Sequence, residues 1–273
     1  MAIKPNPAWR GDPTFLKEVL EHWGVPVKTL DGWLNRGHGD FSQVRRILVH
    51  HIGSDAYDPW GIARHPTLGL ASQIHLSRKN PTVTLCGVGI AYHAGKGWYK
   101  NWPTNNANWD SIGIEAEGNG TSAWPADQMD IYYRTCAAIL WFLGLRATTG
   151  TLLSHWEYSY QAQGKWDPGA GNGKSGAMME MNHFRAQVNK YLDNPPFAQP
   201  KKVEAPKEGE MSFDKIITRF KSRVTGSNVE MRPIDALLNA DAHSFVSRAN
   251  TERLLADNAE IKAMLEDLKR KVG

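Results

Sequence analysis

Apolar positions in this chain recur with two different periods, and the alternation between them sets the expected element order. Phe15, Leu16, Val19, Leu20 and Trp23 follow helical spacing after Pro13 at a first helical position, and Gly24 is the stop. Residues 46–51, Arg-Ile-Leu-Val-His-His, read as a buried strand. Ser72–Arg78 and Thr82–Ile90 read as two more, parted by the turn pair Asn80-Pro81, and Ser111–Glu117 as a fourth. Pro125 then opens a long helix whose stripe is Met129, Tyr132, Tyr133, Cys136, Ile139, Leu140 and Leu143, ended by Gly144. A strand near Leu152-Leu153 leads into His155, and Ala177–Leu192 reads as a closing helix. Strands interleaved with helices in this way predict an α/β domain with a mixed central β-sheet flanked by helices.

The pattern changes at the end of that helix. Residues 193–210 are rich in proline and charge and have no apolar period, which marks a semi-extended linker. Residues 211–273 are expected to be a small α-helical module, with a helix-like run from Phe213 and a final helix from Asn239. In that final helix Leu254, Asn258, Ile261, Leu265, Leu268 and Val272 are spaced as a short coiled-coil seam, with Asn258 at a core position that sets register. Packing on its own module stands level with a homo-oligomer through the C-terminal helix, because fewer than three heptads are marginal. The expected organisation is a helical segment (1–39) packed on a catalytic domain (40–192), the linker, and the module.

Composition narrows the classes. Of 273 residues, 41% are hydrophobic and 22% charged, which is the balance of a water-soluble globular chain. No apolar run approaches the about 20 residues that span a bilayer, so no membrane insertion is expected. The N-terminal residues carry no hydrophobic core of a secretory signal, so the expected route is synthesis in a cytoplasm with release by other means. A net charge of +4 without a dense basic cluster argues against nucleic acid and suits an anionic polymer such as a cell wall. Cys86 and Cys136 lack metal-type spacing and are expected to be two buried thiols rather than a disulfide. Eleven tryptophans, concentrated between Trp60 and Trp166, serve either as stacking surfaces for a glycan or as core.

The candidate chemistry lies in two stretches. His155 precedes Lys165 and Asp167, which share a face of an extended segment and are followed by Pro168-Gly169. Tandem His50-His51 end the first strand, so their side chains face opposite sides and only one can join His155 and Asp167. Two imidazoles and a carboxylate would leave Zn²⁺ with an open fourth position, the catalytic arrangement, beside which Lys165 would stabilise an oxyanion. A proton carrier is also needed, and Glu115, Glu117 and Glu157 compete for it. The alternative is an ordinary surface ion pair beside a histidine.

Leu48-Val-His-His51, Ala91-Tyr-His-Ala-Gly95, Asn108-Trp-Asp-Ser-Ile-Gly-Ile-Glu115 and His155…Lys165-Trp-Asp-Pro-Gly169 occur in the order found in zinc N-acetylmuramoyl-L-alanine amidases. Residues 40–190 thus resemble the amidase-2 family, which includes peptidoglycan recognition proteins, muropeptide-recycling amidases and phage endolysins. The resemblance implies His50, His155 and Asp167 as zinc ligands, Glu115 as catalytic carboxylate and Lys165 as the side chain that steadies the tetrahedral intermediate. It implies His93 and Asn108 as residues lining the muropeptide groove, although a structural role at a turn remains open for His93. Glu157 reads as support or a solvated charge. One departure stands out: where the family often has Tyr-His-Phe, residues 71–78 read Ala-Ser-Gln-Ile-His-Leu-Ser-Arg, with Ser72 or Gln73 at the tyrosine position. That shifts weight to Glu115 and leaves His75 structural or groove-lining.

The expected function is that of an endolysin, which cuts the amide between N-acetylmuramic acid and L-alanine in bacterial peptidoglycan and reaches the wall through a holin. The alternatives are a non-catalytic peptidoglycan-binding module, a cytoplasmic recycling amidase, and a structural role in a phage particle. The retained Asp167 argues against the first, and the linker and appended module against the second.

Overall fold

A computed structural model describes residues 3–197 and two short extended segments, Phe220–Lys221 and Glu230–Met231. The chain divides into two compact units, 1–199 and 200–273. In the second, the two described segments pair antiparallel (Phe220 with Met231, Lys221 with Glu230), so these four residues are extended where a helical module was expected. The final helix and its Leu254–Val272 seam lie outside the described residues.

The first unit is built on a six-stranded mixed sheet. Its strands are β1 (Val27–Thr29), β2 (Arg46–His51), β3 (Ile74–Leu76), β4 (Val83–Leu85), β5 (Ser111–Ala116) and β6 (Leu152–Ser154), in the order β1-β4-β3-β5-β2-β6. Only β3 and β4 run antiparallel, around the Asn80-Pro81 turn; every other pairing is parallel. The strands in the 72–90 region are shorter than the apolar runs there. The Gln73 side chain donates to the Gly89 carbonyl (3.1 Å) and accepts from the Gly113 N–H (2.7 Å), so residues beyond Leu85 fold back over the sheet instead of extending it. Residues 1–39 are also more than a helical segment, because β1 joins the sheet edge beside β4.

One face of the sheet packs on α3 (Ala126–Phe142), with α1 (Leu16–His22) and α5 (Met181–Asp193) against it. Ile47, Val49, Ile112, Ile114 and Leu152 meet Tyr132, Cys136, Ile139 and Leu140 in this core. Both cysteines are buried free thiols, and burial raises both thiol pKa values, to about 12 for Cys86 and further still for Cys136, so neither is a thiolate at neutral pH. Phe197, inside the stretch expected to be linker, packs on His22, Trp23 and Trp141 with ring centroids 4.0, 5.5 and 5.0 Å away. The opposite face carries a smaller cluster, Leu48, Ala94, Trp102, Leu153 and Tyr158, beneath α4 (His155–Gln163). No helix among the described residues is long and apolar enough to cross a membrane.

Candidate active site

In an open α/β sheet the crevice beyond the carboxyl ends of parallel strands collects functional side chains. Here β2, β5 and β6 end together. His50 is in register with Glu115 on β5, and β6 hands the chain directly to His155 at the first position of α4. In-register residues of parallel strands share a face, so His50 and Glu115 point the same way, with His50 Nδ1 3.9 Å from Glu115 Oε1.

The α4 terminus is fixed by a capping box. Ser154 Oγ accepts from the Glu157 N–H (3.2 Å), and Glu157 Oε2 accepts from the Ser154 N–H (3.0 Å). Glu157 is also held by Arg185 of α5, whose Nη2 donates to Oε1 (2.9 Å) and Nη1 to Oε2 (3.0 Å). Glu157 is thus neither a solvated charge nor a rival base. Glu117 is committed too: it accepts from the N–H groups of Tyr57 (2.9 Å) and Arg78 (2.7 Å) and faces His75 Nε2 (3.2 Å), so His75 is structural. Of the three competing carboxylates, Glu115 alone has no such partners and opens on the cavity.

Asp167 arrives from the loop after α4. Its carbonyl accepts from the Trp156 N–H (2.9 Å). Two residues on, the Gly169 N–H donates to His51 Nδ1 (3.0 Å), whose ring stands edge-on to Trp166. The tandem histidines therefore divide as their alternation requires: His50 enters the cluster, while His51 anchors the loop that carries Asp167.

His50, His155 and Asp167 converge, with one donor atom from each lying within 4.8 Å of the others. Asp167 Oδ2 is 3.0 Å from His155 Nδ1 and 3.2 Å from His50 Nδ1. Their outer neighbours fix the tautomers. His155 Nε2 lies 3.1 Å from the Ala94 carbonyl, which can only accept, so Nε2 carries a proton and Nδ1 is the nitrogen turned toward Asp167. His93 Nε2 faces the Ser111 carbonyl (3.2 Å) and is the protonated nitrogen. Burial, followed by neighbouring His50, holds the His93 pKa well below its ordinary value, so the ring is neutral and its Nδ1 accepts from His50 Nε2 (3.2 Å). His50 then also turns Nδ1 toward Asp167; burial, reinforced by His155, lowers its pKa to about 4. Two imidazole nitrogens and a carboxylate oxygen thus face one point, where a proton or a cation must lie between them. This donor set fits a Zn²⁺ ion.

Glu115 has its pKa pushed up to about 8, first by burial and then by the charge of Asp167, with Lys165 pulling the other way. A carboxyl tuned so close to neutrality suits proton transfer. Lys165 is exposed on the wall of the same cavity, which has a volume of about 310 Å³.

A family model described as N-acetylmuramoyl-L-alanine amidase, amidase-2, matches residues 40–170, just under half of the chain. Residues 40–170 are an amidase-2 domain. Among solved structures, the chain is similar to a selenomethionine derivative of AmpD, at 20% identity over 60% of this chain and 94% of that one, with a TM-score of 0.40. It is also similar to the endolysin N-acetylmuramoyl-L-alanine amidase LysCS from Clostridium intestinale (16%; 60% and 95%; TM-score 0.42) and to the hydrolase AmiA of Staphylococcus aureus (11%; 70% and 95%; TM-score 0.43). No curated protein matches the sequence.

One of the two groove expectations changes on the structure. Asn108 does not line the cavity: its Oδ1 accepts from the N–H groups of His93 (3.1 Å) and Ala94 (2.8 Å), clamping the turn behind the site. His93 does reach the cavity, but only 6% of it is exposed and both ring nitrogens are engaged, so its main effect is to orient His50. Ser72 and Gln73 are fully buried, and that strand presents no hydroxyl to the cavity. Sequence reasoning missed several residues. Tyr57, His65 and Tyr92 line the cavity, and Tyr92 stacks on His38 (3.9 Å, 3°). Tyr132, expected as plain core, reaches through the sheet: its hydroxyl accepts from the His50 N–H (3.0 Å) and faces the His50 carbonyl (2.9 Å). A tyrosine in an apolar helical stripe was the only signal for this, and packing explains such a residue equally well.

Proposed function

We propose that the protein is a zinc-dependent N-acetylmuramoyl-L-alanine amidase of the endolysin type, which cleaves the lactyl–L-alanine amide of bacterial peptidoglycan. The observation that carries this reading is the convergence of three donors, His50, His155 and Asp167, beside a Glu115 carboxyl whose pKa lies near enough to neutral pH for it to exchange a proton. Zinc held by His50, His155 and Asp167 would supply a water of lowered pKa and would polarise the scissile carbonyl. Glu115 accepts the proton of the attacking water and returns it to the departing nitrogen, so that the C–N bond breaks into a lactyl carboxylate and a free L-alanine amine. Lys165 offsets the negative charge that gathers on the carbonyl oxygen.

The endolysin assignment is supported by the proline- and charge-rich stretch after residue 193 and the further module beyond it, which a diffusible recycling substrate does not require. In this reading the protein reaches the wall from the cytoplasm through a holin lesion, and the module adds wall contacts or joins copies of the chain, which raises retention on a repetitive polymer. Mass spectrometry of purified peptidoglycan after digestion tests the reaction. New free L-alanine amino termini are expected; new reducing sugars without them would overturn it.

Two further outcomes follow from the geometry. Glu115→Gln should keep the metal and lower kcat by about 10²–10⁴-fold, the usual worth of a positioned proton carrier. Full turnover in that variant would remove Glu115 from the mechanism. His51→Ala should weaken zinc binding by about 10–100-fold, since it frees the loop that carries Asp167, whereas His51→Asn retains an acceptor for Gly169. Competition with a chromophoric chelator reads both, and equal affinity in the alanine variant would refute the anchoring role.

A further inference from the structure

Outside the active cavity, the described residues carry a second one of about 430 Å³ on the flank of α4, lined by Trp98, Tyr99, Lys100, Asn101 and Gln161 among others. Trp98 is 60% exposed, the most exposed of the large hydrophobic side chains described. It does not sit on a loose loop. Its N–H donates to the Tyr158 carbonyl (2.9 Å), and Gly97 and Asn105 are cross-tied by N–H bonds in both directions (2.9 and 2.8 Å). Trp102 Nε1 donates to the Thr149 carbonyl (2.8 Å), and Tyr158 Oη donates to the Pro103 carbonyl (2.6 Å). Gly97 is required for this approach, because a Cβ there would lie 2.3 Å from the Tyr158 carbonyl oxygen. A rigid backbone that holds an indole out to solvent has already met the ordering cost of binding a ligand.

The two cavities share no lining residue, but one stretch of chain packed on α4 runs from the first to the second. Ala94 and His93 belong to the active site, Lys96 donates from its N–H to Gln163 Oε1 (2.6 Å), and Trp98 follows two residues later. The lining chemistry is that of a sugar site: an indole face for the C–H face of a pyranose, the amides of Asn101 and Gln161 for hydroxyl and acetamido groups, and exposed Lys100. The one carboxylate in the lining, Glu157, is neutralised by Arg185 and does not repel an anion. Amide cleavage leaves a lactyl carboxylate on each muramic acid, which complements Lys100 and exposed Lys96.

We propose that the Trp98 cavity is a second subsite, which holds an N-acetylated hexosamine of the glycan strand, including strands already stripped of stems. The proposal rests on the wall-amidase reading for the identity of the polymer. It gives the catalytic unit its own grip on glycan, separate from the amide being cut.

The test is calorimetric titration of the full-length protein with stem-free glycan strands, run beside hydrolysis of a small soluble muramyl dipeptide. Wild type should bind the strands saturably. Trp98→Ala should bind them roughly tenfold more weakly and cleave the dipeptide with unchanged kcat/KM. Strand binding equal to wild type in Trp98→Ala, or none by wild type, would overturn the subsite. If Trp98→Ala melts early, Gln161→Ala, an exposed change on α4, decides in its place by the same criterion. Failure of wild type to cleave the dipeptide, with strand binding still lost in the variant, would sink the amidase reading and leave the subsite standing.

Discussion

Asp167→Ala should give a protein that retains no zinc and releases no stem peptides from peptidoglycan. The expectation follows from the tautomers. With the Ala94 carbonyl fixing His155 and the Ser111–His93 chain fixing His50, both inward nitrogens are Nδ1 atoms, and Asp167 supplies the only negative charge among the three donors. Removing one hydrogen bond behind a metal ligand commonly costs 10–100-fold in affinity, and removing the anionic ligand itself must exceed that. The same geometry sets the sign of a second effect. Without metal, Asp167 Oδ2 lies 3.0–3.2 Å from two imidazole nitrogens; burial raises its carboxyl pKa, but the hydrogen bonds with His155 and His50 outweigh that and hold it well below the usual carboxylate range, so the alanine variant should melt earlier than chelator-treated wild type. Zinc should raise the melting temperature of wild type alone, by mass action on the folded state. Metal analysis by plasma mass spectrometry and thermal melts with and without chelator read both. About one zinc per chain in the variant, or hydrolysis that survives in it, would end the ligand assignment.

The sequence made the site legible wherever spacing constrains direction. The Lys165–Asp167 pair and the apolar stripe of α3 were readable because a period of two or 3.6 leaves one arrangement. The choice between His50 and His51 was not. Residues 47–50 are all buried, since both faces of the central strand β2 are covered, and a strand without apolar–polar alternation does not show which face is which. Only the loop from α4, 117 residues further on, decides it by placing Asp167 against His50 and Gly169 against His51. Strand β1 was missed because Val-Lys-Thr is too short to show a period, and it forms only where β4 offers an edge. Asn108 was assigned to the groove, yet its carbonyl oxygen serves two backbone donors; a polar loop residue reads the same in either role. The Glu117 and Glu157 roles were settled by partners distant in sequence, among them Tyr57 and Arg185, that no local pattern announces.

Arg185→Ala should be the most destabilising single change in the described part of the amidase unit. Arg185 lies on α5, where an arginine in a helix ordinarily reads as solvent-facing charge. Instead it is buried with Glu157, each side chain 8% exposed, and its four contacts join three elements. Nη1 donates to the Leu152 carbonyl of β6 (3.1 Å) and to Glu157, and Nη2 donates to Glu157 and to Asn182 Oδ1 (3.1 Å). Truncation leaves the Glu157 carboxylate without its counter-charge inside the protein, at a cost of about 3–5 kcal/mol. For a unit of this size that lowers the melting temperature by roughly 10 °C. Much of the penalty comes from the stranded charge rather than from lost attraction, so Glu157→Gln added to Arg185→Ala should recover part of the loss, whereas two independent surface changes would simply add. The site should register the same change. His155 is the first residue of α4, and the capping box that sets its direction uses the oxygen that Arg185 Nη1 holds, so zinc affinity should fall together with stability. A denaturant midpoint within 1 kcal/mol of wild type, with no recovery in the double variant, would show that the pair does not hold the α4 terminus in place.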